Sequence, residues 1–156
     1  MIKELWILVK MLFASNPNDF ESMEVIDMNH FPFEGFKAMS WCGCIVHRIG
    51  SSEIDKRTIS HEDIHLAQAK LCGSWWKYYL KYLWEWLKGN PIIHPASSAY
   101  MTIPFECEAY GNEDNPDYAK NYDGSNIGKY TFKKRKKLYK DVGWSAAAWK
   151  RYVKSL

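Results

Sequence analysis

Residues 1–15 are mostly apolar, interrupted at Lys3, Glu4 and Lys10, and run into the cluster Asn16-Pro17-Asn18-Asp19. That pattern predicts a first helix closed by residues that favour turns. From residue 23 to 48 the texture becomes strand-like. Phe31, Phe33 and Phe36 precede a run, 38–46, that is rich in aromatic and β-branched residues, and Gly35 and Gly43 break the series. One or two antiparallel strands with a bulge are expected there. Ile59, Ile64, Ala67 and Leu71 then recur at helical spacing and Gly73 supplies a stop, which predicts a helix over 58–72. In the next segment, 74–88, Lys77, Lys81, Glu85 and Lys88 form one narrow polar stripe, and aromatic and leucine side chains cover the rest. Such a helix is either buried or rests on an apolar surface. Pro104 is a good first-turn residue for a short helix over 104–112. Loop residues dominate 115–126, and a last helix is expected near 145–154.

The chain has 156 residues, the size of one ordinary domain. With 47% hydrophobic and 25% charged residues it is not a disordered chain. These observations predict an α+β architecture: a mostly helical single domain over 1–156, with a small antiparallel sheet beside the 58–72 helix and a basic tail over 130–156. Eight Trp, ten Tyr and seven Phe call for a core of large flat side chains or for amphipathic surfaces that meet a membrane, a partner or a ligand. The net charge of +3 is a local excess around Lys133-Lys134-Arg135-Lys136-Lys137, so a nucleic-acid partner is not expected.

Cys42, Cys44, Cys72 and Cys107 contain no CxxC pair, which argues against a zinc ribbon or a thioredoxin-like motif and fits a reducing, cytoplasmic setting. Glu4 and Lys10 argue against a signal peptide at the start. No apolar run reaches the roughly 18 residues of a spanning helix, so any membrane association would be peripheral.

The segment His61-Glu62-Asp63-Ile64-His65 is an HExxH motif inside a predicted helix. Two histidines four apart share a helical face, with Cβ atoms roughly 6 Å apart, and both imidazoles can reach one metal ion. Glu62 points to the adjoining side, where its carboxylate can take a proton from an attacking water. A catalytic zinc site needs a third protein ligand, commonly a carboxylate from another helix. Glu106 and Glu108, at the start of the 104–112 helix, are the candidates. His94 is a further histidine, but its loop position beside Pro95 reads as structural.

His61 to His65 with Gln68, and Phe105 to Tyr110, resemble the gluzincins, the thermolysin-like zinc metallopeptidases that pair HExxH with a downstream glutamate, and among them small bacterial members. The resemblance implies a zinc-dependent peptidase with Glu62 as general base and a peptide or protein substrate. In that family the ligand glutamate opens a Glu-x-x-Ala/Ser-Asp pattern. Glu106, followed by Ala109, takes that place, so the implied metal ligands are His61, His65 and Glu106. Tyr110 stands where the family has an aspartate that hydrogen-bonds a ligand histidine, so that support must come from elsewhere. A strand beside the cleft is also implied, with 39–48 the best fit, and Tyr100, Tyr110 and His94 are all eligible to stabilise the oxyanion.

Two other classes remain. Zinc could brace the fold without turnover, which requires a fourth protein ligand. Alternatively, the aromatic helix holding Trp75, Trp76 and Trp86 could lie on a membrane surface with its lysines toward anionic lipid, or the basic tail could touch nucleic acid, with HExxH coincidental.

Overall fold

A computed structural model describes residues 1–32, 34, 38–89 and 96–156. In chain order these residues form α1 (Ile2–Ala14), β1 (Glu24–Met28), β2 (Ala38–Trp41), β3 (Cys44–Arg48), α2 (Lys56–Cys72), α3 (Trp75–Lys88), α4 (Ala96–Met101), α5 (Pro104–Asn112), α6 (Arg135–Asp141) and α7 (Ala146–Lys154). The expected mostly helical α+β architecture is present. Phe33, Gly35, Phe36 and His94 lie outside the described residues.

The sheet has the order β1-β3-β2. It is mixed rather than wholly antiparallel: β2 and β3 form an antiparallel hairpin, while β1 pairs with β3 in parallel. The hairpin closes through Cys42 and Gly43, both at positive φ (47° and 88°), as a tight two-residue turn requires. Gly43 therefore marks a turn and not the expected bulge. A Cβ at Gly43 would fall 2.5 Å from the Phe20 ring, so substitution there is both strained and obstructed.

Cys44, Ile45 and Val46 are buried in succession because both faces of β3 are covered. Val46 packs with Leu8, Met28 and Phe31 beneath α1. On the other face Ile45 packs with Leu66, Ala69 and Trp75 of α2 and α3. A second core joins Met101, Cys107, Tyr130, Tyr139, Trp149 and Val153. There the Trp149 indole N–H donates to the Met101 carbonyl at 2.6 Å.

Helix α2 starts slightly earlier than its apolar spacing predicts, because the Asp55 carboxylate caps it by accepting from the Thr58 N–H at 2.7 Å. It ends at Gly73 in the left-handed conformation. Asp63 accepts the Met23 N–H at 2.8 Å, which ties the helix to the strand region. Much of what α2 buries is polar (His61, His65 and Gln68), and Leu71, expected on the apolar face, is half exposed in the last turn.

Helix α3 is only partly a core helix. It buries Trp75 and Tyr78 and leaves Trp76, Leu80, Leu83, Trp84 and Leu87 exposed. Helices α4 and α6 were not legible in the apolar pattern. In α6, Arg135 donates to the Glu85 carbonyl at 2.9 Å and pairs with the Glu85 carboxylate, so the basic run is anchored to the end of α3. All four cysteines are free thiols.

Candidate metal centre

Helix α2 turns His61, His65 and Gln68 to one side, at i, i+4 and i+7. Pro104 starts α5 and places Glu106 in its first turn, facing them. The His61 and His65 Nε2 atoms are 3.2 Å apart. Glu106 Oε2 lies 3.4 Å from His61 Nε2, and Glu106 Oε1 lies 3.2 Å from His65 Nε2. All three side chains are buried. Four ligands around zinc at about 2.0–2.1 Å stand roughly 3.3–3.4 Å from one another. The observed separations are close to that value, with each histidine facing a different Glu106 oxygen, and one ligand atom from each residue lies within 4.8 Å of the others.

Hydrogen bonds fix which ring atoms face the centre. His65 Nδ1–H donates to Gln68 Oε1 at 2.8 Å, and the Gln68 Nε2 donates to Glu108 at 2.9 Å and to the Phe105 carbonyl at 3.1 Å. Those last two partners only accept, which settles the orientation of the amide. His61 Nδ1 faces Glu113 Oε2 at 3.2 Å. With both Nδ1 atoms held by acceptors, both Nε2 lone pairs converge on the space beside Glu106. Glu106 Oε2 is buried and makes no hydrogen bond, whereas Oε1 accepts from the Tyr82 hydroxyl at 2.7 Å. Two imidazole nitrogens and a buried carboxylate oxygen that makes no hydrogen bond, in so small a volume, favour a positive charge between them.

The same excess of negative charge acts on the His61 ring. Burial pushes the His61 imidazolium toward deprotonation, but Glu106 and Glu113 together outweigh it and raise its pKa to about 10. Burial likewise opposes ionisation of Glu106, and the two histidines still hold its carboxyl well below the usual range. His61, His65 and Glu106 could together hold a divalent cation with mixed nitrogen and oxygen ligands.

Glu108, the other candidate ligand, points away. Two residues past Glu106 it is about 200° further round the helix. There it accepts from Gln68, from Tyr118 at 3.0 Å and from Tyr122 at 2.8 Å. It is a buried anchor for the residue that orients His65. Glu113 was missed by sequence reasoning, although Glu106, Tyr110 and Glu113 share the i, i+4, i+7 spacing that faces α2. Lys154 pairs with Glu113 at 3.0 Å and keeps it in place.

Two cavities meet at the centre. One, of about 250 Å³, is lined by Ala38 to Trp41 of β2 and by Glu62, His65, Tyr82, Tyr100 and Glu106. The other, of about 410 Å³, is lined by Arg57, His61, Tyr110, Glu113 and Lys150, and shares Ala38, Glu62 and Tyr100 with the first. Glu62 and Tyr100 thus stand where the two meet. Within the 39–48 segment β3 has a neighbour on each side, so among the described residues the strand with an unpaired edge is β2, which lines this groove. Tyr110 packs its ring on His61 with centroids 4.4 Å apart, and Lys150 Nζ lies 3.8 Å from the Tyr110 ring centroid.

No protein-family model, curated protein or solved structure matches the chain. The gluzincin likeness therefore rests on the residues of α2 and α5 alone.

Proposed function

We propose that this chain is a zinc-dependent hydrolase that cleaves peptide bonds, with His61, His65 and Glu106 as metal ligands and Glu62 as general base. The observation that carries the reading is the convergence of two Nε2 atoms and the buried Glu106 carboxylate, whose two oxygens face one histidine each at 3.4 and 3.2 Å. Among the described residues the ligand group stops at three, the count of catalytic sites, whereas structural zinc takes four.

Bound zinc would polarise a substrate carbonyl and lower the pKa of a coordinated water to about 7. The protein's own part is positional. Gln68 and Glu113 hold the imidazoles with Nε2 inward, and the Tyr82 hydroxyl holds Glu106 through Oε1, with Oε1 toward His65 and Oε2 toward His61. Glu62, at the junction of the cavities, accepts a proton from the attacking water and returns it to the leaving amine. The edge of β2 that is unpaired among the described residues receives an extended peptide through main-chain hydrogen bonds. Among the described residues Tyr100 shares the junction with Glu62 and is the candidate donor to a developing oxyanion.

The test is Glu62→Gln, assayed on a mixture of denatured polypeptides with metal content measured in parallel. The expected result is one zinc per chain and a loss of hydrolysis on the order of 10²–10⁴-fold. Wild-type-like turnover in the zinc-loaded variant would overturn the assignment of Glu62.

A further inference from the structure

Helices α1 and α3, which pack on opposite faces of β3, present matching exposed faces. In α1, Ile2, Trp6, Val9 and Phe13 recur at i, i+4, i+7 and i+11, all exposed. In α3, Trp76, Leu80, Leu83 and Leu87 repeat the same spacing, again all exposed. The inner faces are the ones that pack: Leu8 of α1 meets the sheet, and Trp75 and Tyr78 of α3 meet α2. The outer stripes are not separate patches, because the Phe13 and Trp76 rings touch with centroids 5.4 Å apart. Exposures of 72% at Phe13, 62% at Leu80 and 61% at Trp84 are high for residues that would normally be covered.

Charge selects what covers this surface. Each stripe is flanked by lysines, Lys3 and Lys10 on α1 and Lys77, Lys81 and Lys88 on α3. Lys10 lies over the Trp6 ring and Lys88 over the Trp84 ring, each 5.7 Å from the centroid, so the ammonium groups sit at the margin of the apolar surface. The only carboxylates on these helices are turned inward: Glu4 accepts from the Asn29 and His30 N–H groups, and Glu85 binds Arg135 and Lys88. Lys3, Lys10, Lys77 and Lys81 form no ion pair with a described carboxylate. A second copy of the chain laid on this face would set lysine against lysine. A layer with an apolar interior and negatively charged headgroups satisfies both the stripes and their margins.

We infer that the joined outer faces of α1 and α3 are a docking surface for the interface of an anionic lipid bilayer. No helix among the described residues is long and apolar enough to cross a membrane, so the helices lie in the interface plane. Tyr79 and Tyr82 on the inner side of α3 line the cavity of the metal centre. One helix, about 10 Å thick, thus separates that cavity from the lipid.

The experiment is co-sedimentation of the purified chain with vesicles of phosphatidylcholine alone and with about one third phosphatidylserine, at low and high salt. The expected result is binding to the anionic vesicles, weakened by salt. Lys77→Gln with Lys81→Gln should lower the partition constant on the order of thirtyfold. Leu80→Ser with Leu83→Ser should abolish binding with the circular dichroism spectrum unchanged, since both side chains are exposed in the fold. Three outcomes would overturn the inference: wild-type protein that stays in solution with anionic vesicles, binding that survives both pairs of substitutions, or a dimer in light scattering that the leucine substitutions dissolve. Zinc content and hydrolysis are read on the same preparations, so failure here is distinguishable from failure of the peptidase reading.

Discussion

His61 presents its Nδ1 to Glu113 Oε2 at 3.2 Å, across the gap between α2 and the end of α5. This contact supplies from seven residues past Glu106 the support that the gluzincin pattern places at Tyr110. Removing such a partner typically costs 10–100-fold in metal affinity. Glu113→Ala is expected to weaken zinc binding by that amount, and Glu113→Gln, which still accepts from Nδ1–H, by less. Competition with a fluorescent chelator measures both. Equal affinity in wild type and Glu113→Ala would remove the residue from the account.

The two buried glutamates of α5 should separate cleanly. Glu106→Ala is expected to abolish stoichiometric zinc. Glu108→Ala should retain zinc more weakly and lose stability of about 3 kcal/mol, because Gln68 Nε2, Tyr118 and Tyr122 lose their shared acceptor. Urea denaturation of the metal-free forms, with metal analysis alongside, distinguishes a ligand from an anchor. The reverse pattern would exchange their roles.

The raised His61 pKa has a definite sign. Its folded value of about 10 lies above the ordinary 6.5, so in the metal-free protein the charged ring contributes stability that is complete below about 6.5 and is lost as pH rises toward 10. Zinc bound at the proposed site would replace that proton, so its apparent affinity should increase with pH over the same window. Thermal unfolding with and without chelator at pH 7 and pH 9 is expected to show the chelated protein losing stability and the zinc-loaded protein changing less. A chelated protein equally stable at both values would contradict the proton assignment.

Tyr100 borders both cavities beside Glu62. If its hydroxyl donates to the oxyanion, Tyr100→Phe should lower kcat by roughly 10²–10³-fold with little change in KM. Steady-state kinetics on a single cleavable peptide separate the two parameters. A rise in KM alone would make Tyr100 a substrate contact.

The sequence was informative where a local rule was strong and silent where the determinant was distant. His61, His65 and Glu62 were legible because HExxH encodes its own geometry through the helical period, and Pro104 announced the helix that delivers Glu106. The hairpin was misread at Gly43 because one glycine suits a bulge and a turn equally well; only the positive φ at Cys42 distinguishes them. The parallel pairing of β1 depends on a crossover, which leaves no mark in the alternation of side chains. Glu113 and Glu108 could not be told from solvated acids, since their partners are 52 and 40 residues away in sequence. The outer face of α3 was the subtlest. Its aromatic content reads as core until the fold shows that only Trp75, Tyr78 and their neighbours turn inward.

The central claim is that one cation joins α2 to α5 through three side chains. Anomalous diffraction at the zinc edge on crystals of the purified chain tests it most directly. The account predicts a single peak within about 2.0–2.2 Å of His61 Nε2, His65 Nε2 and Glu106, with a non-protein ligand in the fourth position. A fully ordered site with no anomalous signal after zinc soaking, or a peak that leaves Glu106 unligated, would contradict it.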